Sequence, residues 1–433
     1  MKIIMKIGIL GGGLTGLSLS YFIQSESEVI ERDSVCGGLC RTFSKNDFYY
    51  DYGGHIIFSK DEEILKFMVS VLGDNVEKHF RNNKVLYKKC FVKYPFENGL
   101  SEIPKLDTYE CLYYYLNNSY PKPSNFKEWV YYTFGKGIAE KYLIPYNEKI
   151  WKSDLETIGL DWVERIPKPP MEDILKSAIG IETEGYTHQL YFYYPIWGGI
   201  QGLIEAIRKK VPRVTNNFEV KKITRRNDTW IVSNGTDEKI FDMIISTIPI
   251  FHLLDALENV PDHIKNAAKK LQYNSLIVVM VGVNVDQLSD KTAVYVPDTK
   301  HLFHRICFNK YFSKNLVPKG KSSVMAEITA NIGDEIWDMS DQEIINDVVD
   351  SLTEEGFIKK ADVCETDIRR TQYAYIIPDL DYSQNLNLIR DYLSEMGIEL
   401  CGRFSEYKYL NMDACIRSAM DLAKKINGNM GAI

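Results

Sequence analysis

This sequence predicts an α/β fold, and three observations carry the prediction. A short apolar run, Ile7 to Leu10, ends in Gly11-Gly12-Gly13-Leu14-Thr15-Gly16. Leu17 to Ile23 then repeats at helical spacing, and Val29-Ile30-Glu31 reads as a second strand with an acid at its end. Further along, short β-rich runs recur between residues 218 and 329 in the manner of an antiparallel sheet. A chain of 433 residues has room for roughly three domains at about 150 residues each.

The opening MKIIMKIGIL has lysines ahead of an apolar run, as a signal peptide would. It breaks at Gly8 and leads into the glycine turn, so it reads as the first strand. Met5 begins a similar start, and residues 1–4 read as dispensable. Val85–Tyr87 and Cys90–Lys93 are strand-like. Thr108 to Trp162 is long, aromatic-rich and helix-period, punctuated by Pro121 and Pro123. A Pro-rich joint at 166–171 reads as a domain boundary. Beyond it come a Gly-Gly turn with a helix (Gly198 to Lys210) and strands at 218–224, 229–234 and 239–247. Tyr273–Val285, Ala293–Val296 and Ser323–Thr329 read as the antiparallel sheet, and Gln384–Met396 and Met412–Ile426 as closing helices.

Composition excludes several classes. Lys and Arg number 52 against 59 Asp and Glu, leaving −7, so no basic field spans the protein as nucleic-acid binding requires. The longest nearly apolar run, Leu276 to Val285, is far short of the roughly 20 residues a membrane span needs. Eight scattered cysteines make no disulfide scaffold. Cys36 and Cys40 have no second pair or histidine at metal-ligand spacing, so no metal is expected and free thiols in the cytoplasm are.

The glycine run carries the chemistry. Gly11 permits the tight turn, Gly13 lets backbone approach a pyrophosphate, and Gly16 allows close helix–strand packing. The helix N-terminus offers N–H groups to that anion. Glu31, 20 residues after Gly11, is placed to accept ribose hydroxyls. ERDSVCGGLCRT follows at once, and its Gly37-Gly38 and Arg41-Thr42 resemble the second glycine motif of amine-oxidase and glutathione-reductase-like flavoproteins, which favours FAD over NAD. Phe241–Pro249 resembles the strand after the adenine-contacting segment of such proteins, which implies an adenine contact from the Val220 backbone.

Six further segments sharpen this. They are YYDYGGHIIF (49–58), KYPFENGL (93–100), FGKGIAEKYLIPYNEKIW (134–151), the turn Glu164–Pro167, YPIWGGIQGL (194–203) and GRFSEYKYLNMD (402–413). In order and spacing, along nearly the whole chain, they resemble the signature segments of the UDP-galactopyranose mutase family, and in the first half its eukaryotic-like branch. The resemblance implies a Rossmann-type FAD-binding domain, a helical domain and a six-stranded antiparallel β-sheet domain. Mapped onto this chain, these are 1–70 with 195–247 and 385–433, then 98–185 over the active site, then 71–97 with 248–384.

It also implies roles. His55 would sit beside the flavin in a loop that responds to redox state, with Arg403 near the ring. Gly11, Gly13, Leu14, Thr15, Gly16, Glu31, Arg32, Gly38, Leu39, Gly54, His55, Val220, Arg403, Tyr409 and Met412 would hold FAD. Arg165 and Arg305 would clamp a diphosphate to which Tyr311, Tyr375 and Tyr409 donate hydroxyls. Asn147 and Trp151 would line the nucleotide and sugar pocket, with Tyr94 and Phe96 at the uridine end and Asn411 also near substrate. Glu97 stands where relatives carry Gln, and Asn411 where the bacterial branch has Asp; both would shift substrate preference.

The implied reaction interconverts pyranose and furanose forms of a UDP-sugar, through an adduct of the sugar with N5 of reduced FAD. Its partners would be the UDP-sugar and a flavin reductant, NADPH or another. A homo-oligomer is compatible with the sequence, which leaves the oligomeric state open. Two other readings stay open: an amine-oxidase or protoporphyrinogen-oxidase-like oxidoreductase, and a silent sugar-nucleotide-binding protein. The guanidinium fork matches phosphate bidentately, but most of 28 tyrosines must simply pack.

Overall fold

The computed structural model describes residues 5–184 and 190–431; Met1–Ile4, read above as dispensable, lie outside them. A parallel sheet organises both ends of the chain. Its strands are, in spatial order, Glu399–Leu400, Met243–Ser246, Ile7–Leu10, Ser27–Ile30 and Val214–Thr215. Ile7, Ile9 and Leu10 have no exposed surface, as an unbroken apolar run in a two-sided parallel sheet should. The helix Leu14–Phe22 starts directly after the glycine turn and packs against the C-terminal helix Met412–Gly431. A Cβ on Gly16 would collide with the Gly11 carbonyl, so only glycine allows this helix to lie so close.

The segment 239–247, expected as one strand, is two. Glu238–Phe241 closes a three-stranded antiparallel sheet with Lys222–Arg226 and Thr229–Ser233, whereas Met243–Ser246 joins the parallel sheet. Asp242 marks the crossing: its N–H donates to the Lys6 carbonyl and its carboxylate accepts the Lys6 N–H at 2.7 Å.

The large sheet has seven strands where six antiparallel ones were expected. The order is Val363–Ile377, Gln272–Val283, Ser322–Ala330, Arg305–Phe308, Ala293–Tyr295, Asn83–Tyr87 and Cys90–Lys93. Asn83–Tyr87 pairs parallel with Ala293–Tyr295, which joins the early hairpin to the other five strands and makes the sheet mixed. Between these parts sit the helices Lys105–Leu116, Phe126–Ile138 and Ile144–Trp151. They bury Phe126, Phe134, Ile138 and Trp151 against Val85, Val92 and Phe96 of the hairpin segment. A π-helical turn, Ala139–Leu143, links the last two and carries Tyr142 inward. No helix among the described residues is long and apolar enough to cross a membrane.

Candidate active site

A cavity of about 650 Å³ opens where the parallel sheet, the large sheet and the helices meet. One end is the pair of glycine turns. Gly37 N–H donates to the Gly12 carbonyl at 2.9 Å, and Gly13 and Gly37 form a parallel bridge. A Cβ on Gly13 would meet nothing closer than Gly38 Cα at 4.0 Å. Gly13 and Gly38 therefore present bare backbone to the cavity, the surface a pyrophosphate needs. Beside them Arg41 Nη1 donates to Asp33 at 2.8 Å, and Arg32 Nε to the same residue at 3.3 Å. Glu31 accepts the N–H of Gly12 at 2.7 Å and of Asp33 at 2.8 Å, so both oxygens brace the turn.

The middle of the cavity holds His55, which follows Gly53-Gly54. Its Nδ1 is buried with no partner among the described residues, and burial pushes its pKa down to about 4, with Arg305 and Arg403 adding to the effect and Glu327 opposing it. The imidazole is thus neutral at neutral pH. Arg305 donates to Glu327 through Nε at 2.8 Å and Nη2 at 2.6 Å, and Glu327 also accepts the Gly54 N–H at 3.1 Å. Glu327 has no exposed surface; the guanidinium holds its carboxyl below the usual range against the effect of burial, and is itself held above its own.

Aromatic rings and two more arginines form the next wall. The guanidinium carbons of Arg165 and Arg403 lie 4.2 and 4.3 Å from the centroid of the Tyr409 ring. Arg165 Nη1 donates to the Tyr409 carbonyl. Arg403 donates to the carbonyls of Leu410 at 2.7 Å and Ala374 at 2.8 Å, while its buried Nε has no partner among the described residues. Tyr375 stacks on Tyr409 with centroids 5.9 Å apart, and Trp151 meets both rings edge-on or tilted. Asn147 accepts from Trp151 Nε1 at 3.1 Å and donates to the Leu143 carbonyl at 2.8 Å, which fixes the indole. Tyr94 stacks on Tyr295 at 4.6 Å. Glu97, 2% exposed, lines the cavity nearby; burial pushes its carboxyl up to about 7, and its Oε2 has no partner among the described residues.

The wall thus collects Gly13, Leu14, Thr15, Arg32, Gly38, Leu39, Gly54, His55, Tyr94, Asn147, Trp151, Arg165, Arg305, Tyr375, Arg403, Tyr409, Asn411 and Met412 from the sequence-predicted set. It does not collect the others. Gly11 and Gly16 shape the turn from behind, and Glu31 is engaged by backbone as above. Tyr311, expected on the phosphates, sits on the short helix Asn309–Phe312, and its hydroxyl donates to the Phe80 carbonyl at 2.9 Å. Phe96 is fully buried, stacked on Tyr142 and edge-on to Tyr87, so it packs the core behind the wall. Val220 packs into a hydrophobic cluster, although Phe218, two residues earlier, donates its N–H to the Glu31 carbonyl.

Sequence reading missed Glu327, Arg81, Tyr146 and Tyr295. The first had a signal: a lone carboxylate in Ser322–Ala330, a strand buried at every position. Asn274 was also missed; its Nδ2 donates to the Ile150 carbonyl at 2.7 Å and to that of Trp151, pinning the helix end that presents the indole. The bare glycine cradle, together with the Arg403 Nε and His55 Nδ1 that have no partner among the described residues, fits a flavin: Gly13 and Gly38 would take its pyrophosphate, and Arg403 and His55 would offer polar atoms to its ring.

The family model for flavin-containing amine oxidoreductases matches residues 24–427. Among solved structures, a reduced UDP-galactopyranose mutase superposes with a TM-score of 0.91 at 26% identity, covering 98% of this chain and 96% of its own. A protein named a protoporphyrinogen oxidase, from Exiguobacterium sp. 255-15, gives 0.77 at 16% identity, covering 98% and 99%. A fatty acid isomerase from P. acnes that produces CLA gives 0.67 at 14%, covering 97% and 98%. The last two share the fold.

Proposed function

The chain belongs to the flavin-containing amine oxidoreductase family, and from that premise we propose that it is a flavin-dependent mutase of a nucleotide sugar, interconverting UDP-galactopyranose and UDP-galactofuranose. One observation carries the reading: the cavity wall holds six arginines against two carboxylates, Asp33 and Glu97, in a protein of net charge −7. Arg32 and Arg41 stand at the glycine turns. Arg305 is held from behind by Glu327 and still faces the cavity, and Arg81, Arg165 and Arg403 line it as well, more positive charge than a substrate amine calls for.

In this reading Arg165 and Arg305 grip the diphosphate, and the Tyr375 and Tyr409 hydroxyls donate to it. Burial holds the Tyr375 phenol above its usual range, so it stays a neutral donor. Neutral His55 lies against the flavin as a hydrogen-bonding support and does no acid chemistry at neutral pH. Trp151, held by Asn147, walls the sugar from water. When bound in the reduced state, FAD supplies at N5 a nucleophile for the anomeric carbon with no net redox change. The protein then orients the substrate and neutralises the leaving diphosphate.

An oxidase would use the Tyr375–Tyr409 pair as an aromatic cage for a substrate amine. Here guanidinium groups already lie against the Tyr409 ring. All eight cysteines are unpaired thiols, which suits a cytoplasmic enzyme. The test is calorimetric titration of the FAD-loaded protein with UDP. One saturable site per chain is expected, and an oxidase has no reason to offer it; absence of binding removes the mutase reading.

A further inference from the structure

We propose that Glu327 is a positioning residue that ties the Gly53-Gly54-His55 loop to Arg305, so that capture of an anion by Arg305 is felt at His55. Its ligand rests on the UDP-sugar reading above; the tether itself does not.

Glu327 lies directly across from Arg305 in the register of adjacent antiparallel strands. Four donors face its carboxylate. Oε1 accepts from Arg305 Nε at 2.8 Å, from Gly54 N at 3.1 Å and from Cys307 Sγ at 3.6 Å; Oε2 accepts from Arg305 Nη2 at 2.6 Å. A glutamine would have to turn its NH₂ toward one of these donors in either orientation.

The carboxylate and the neighbouring Cys307 thiol also explain the glycine pair. A Cβ on Gly53 would fall 2.9 Å from Glu327 Oε2, and one on Gly54 would fall 2.8 Å from Cys307 Sγ. Gly53 has φ +111°, a conformation that disfavours side chains, and the loop closes with His55 N–H on the Gly53 carbonyl at 2.7 Å. Two glycines are what let the loop lie flat on the acid, and His55 is the next residue out.

Arg305 is shared between two sides. A guanidinium has five N–H donors, and Glu327 uses two, while 22% of the side chain remains exposed toward the cavity. An anion there draws on the remaining donors. The guanidinium then either moves with Glu327 or gives up two charge-assisted bonds to a carboxylate that has no access to water. Moving with it is the less costly course, and the Gly54 N–H shares Oε1 with Arg305 Nε. Displacement at Arg305 therefore reaches the loop one residue before His55.

The experiment follows the ring signals of ¹³C-labelled histidine in FAD-loaded protein, with His55 assigned by its loss in His55→Asn. UDP is the probe. In wild type, UDP should shift the His55 signal. In Glu327→Gln, affinity should fall at least tenfold and saturating UDP should leave the signal in place. Arg305→Lys keeps the charge but cannot fill both carboxylate oxygens; it should behave alike and stands in if the glutamine variant does not fold. A shift of equal size in these variants, or UDP binding to wild type without any shift, overturns the tether. If wild type binds no UDP, the UDP-sugar reading fails. The ligand-free signal then decides: displaced in Arg305→Lys it supports the tether, coincident with wild type it overturns it.

Discussion

Arg305→Ala strips both guanidinium contacts from Glu327, a carboxylate with no exposed surface. Breaking a buried pair in this way costs about 3–5 kcal/mol, so the variant should melt lower than wild type as well as lose ligand. Arg165→Ala and Arg305→Ala are each expected to keep FAD and to lose UDP affinity by roughly 30-fold or more, the cost of truncating a desolvated charge contact. Calorimetry with unchanged affinity in both would place these arginines outside the anion site. Glu97 makes a different prediction. An ordinary glutamate titrates at 4.5, and in the fold burial raises this to about 7. Between those values the folded protein holds a proton that the unfolded chain has released. The stability this group contributes is therefore full below the window and is lost as pH rises through it, by on the order of 3 kcal/mol. Glu97→Gln should remove that loss, so the variant should gain stability relative to wild type from pH 5 to pH 8 in urea unfolding. A constant gap contradicts it. Which residues line the cavity was legible wherever a local motif marks them, as at Gly13, His55 and Arg165. Tyr311 and Phe96 were misplaced because their local sequence does not say which way a ring turns once the strand before it ends. Glu327 was overlooked because its partners come from other segments of the chain.

The glycine turn lets two substitutions separate folding from cofactor binding. A Cβ at Gly13 points into open space, with nothing nearer than 4.0 Å, whereas one at Gly16 runs into the Gly11 carbonyl. Gly13→Ala should therefore fold with a near-wild-type melting temperature in the apo form and yet retain little FAD. Gly16→Ala should lose stability and FAD together. Flavin absorbance per chain, with thermal melts of both apo-proteins, distinguishes them, and equal behaviour of the two variants contradicts the cradle. Elements were readable where periodicity is strong: Ile7–Leu10 and Cys90–Lys93 have the ends the pattern implies. Val363–Ile377 went unread because ETDIRRTQ is polar at every position but Ile368, and its pairing with Gln272–Val283 is what makes it a strand. The segment 239–247 was read as one strand because hydropathy does not record a change of sheet at Asp242.

At the scale of the molecule, the cavity draws on segments from residue 13 to residue 415, and no local pattern could show that they converge. The fold class was legible because the glycine fingerprint and the ordered signature segments span nearly the whole length. The mixed character of the large sheet was not, since it depends on a hairpin near residue 90 meeting a strand near residue 294 in parallel. The central claim is that this convergence serves a sugar rearrangement with no net redox. It is tested most directly by incubating the FAD-loaded protein, reduced with dithionite under argon, with UDP-galactofuranose, and following UDP-galactopyranose by chromatography beside an oxidised control. The reduced enzyme should form pyranose over many turnovers with no reductant consumed per product, and the oxidised control should form none. Equal rates in the oxidised state, or one reductant spent per product, would contradict the account and favour an oxidoreductase.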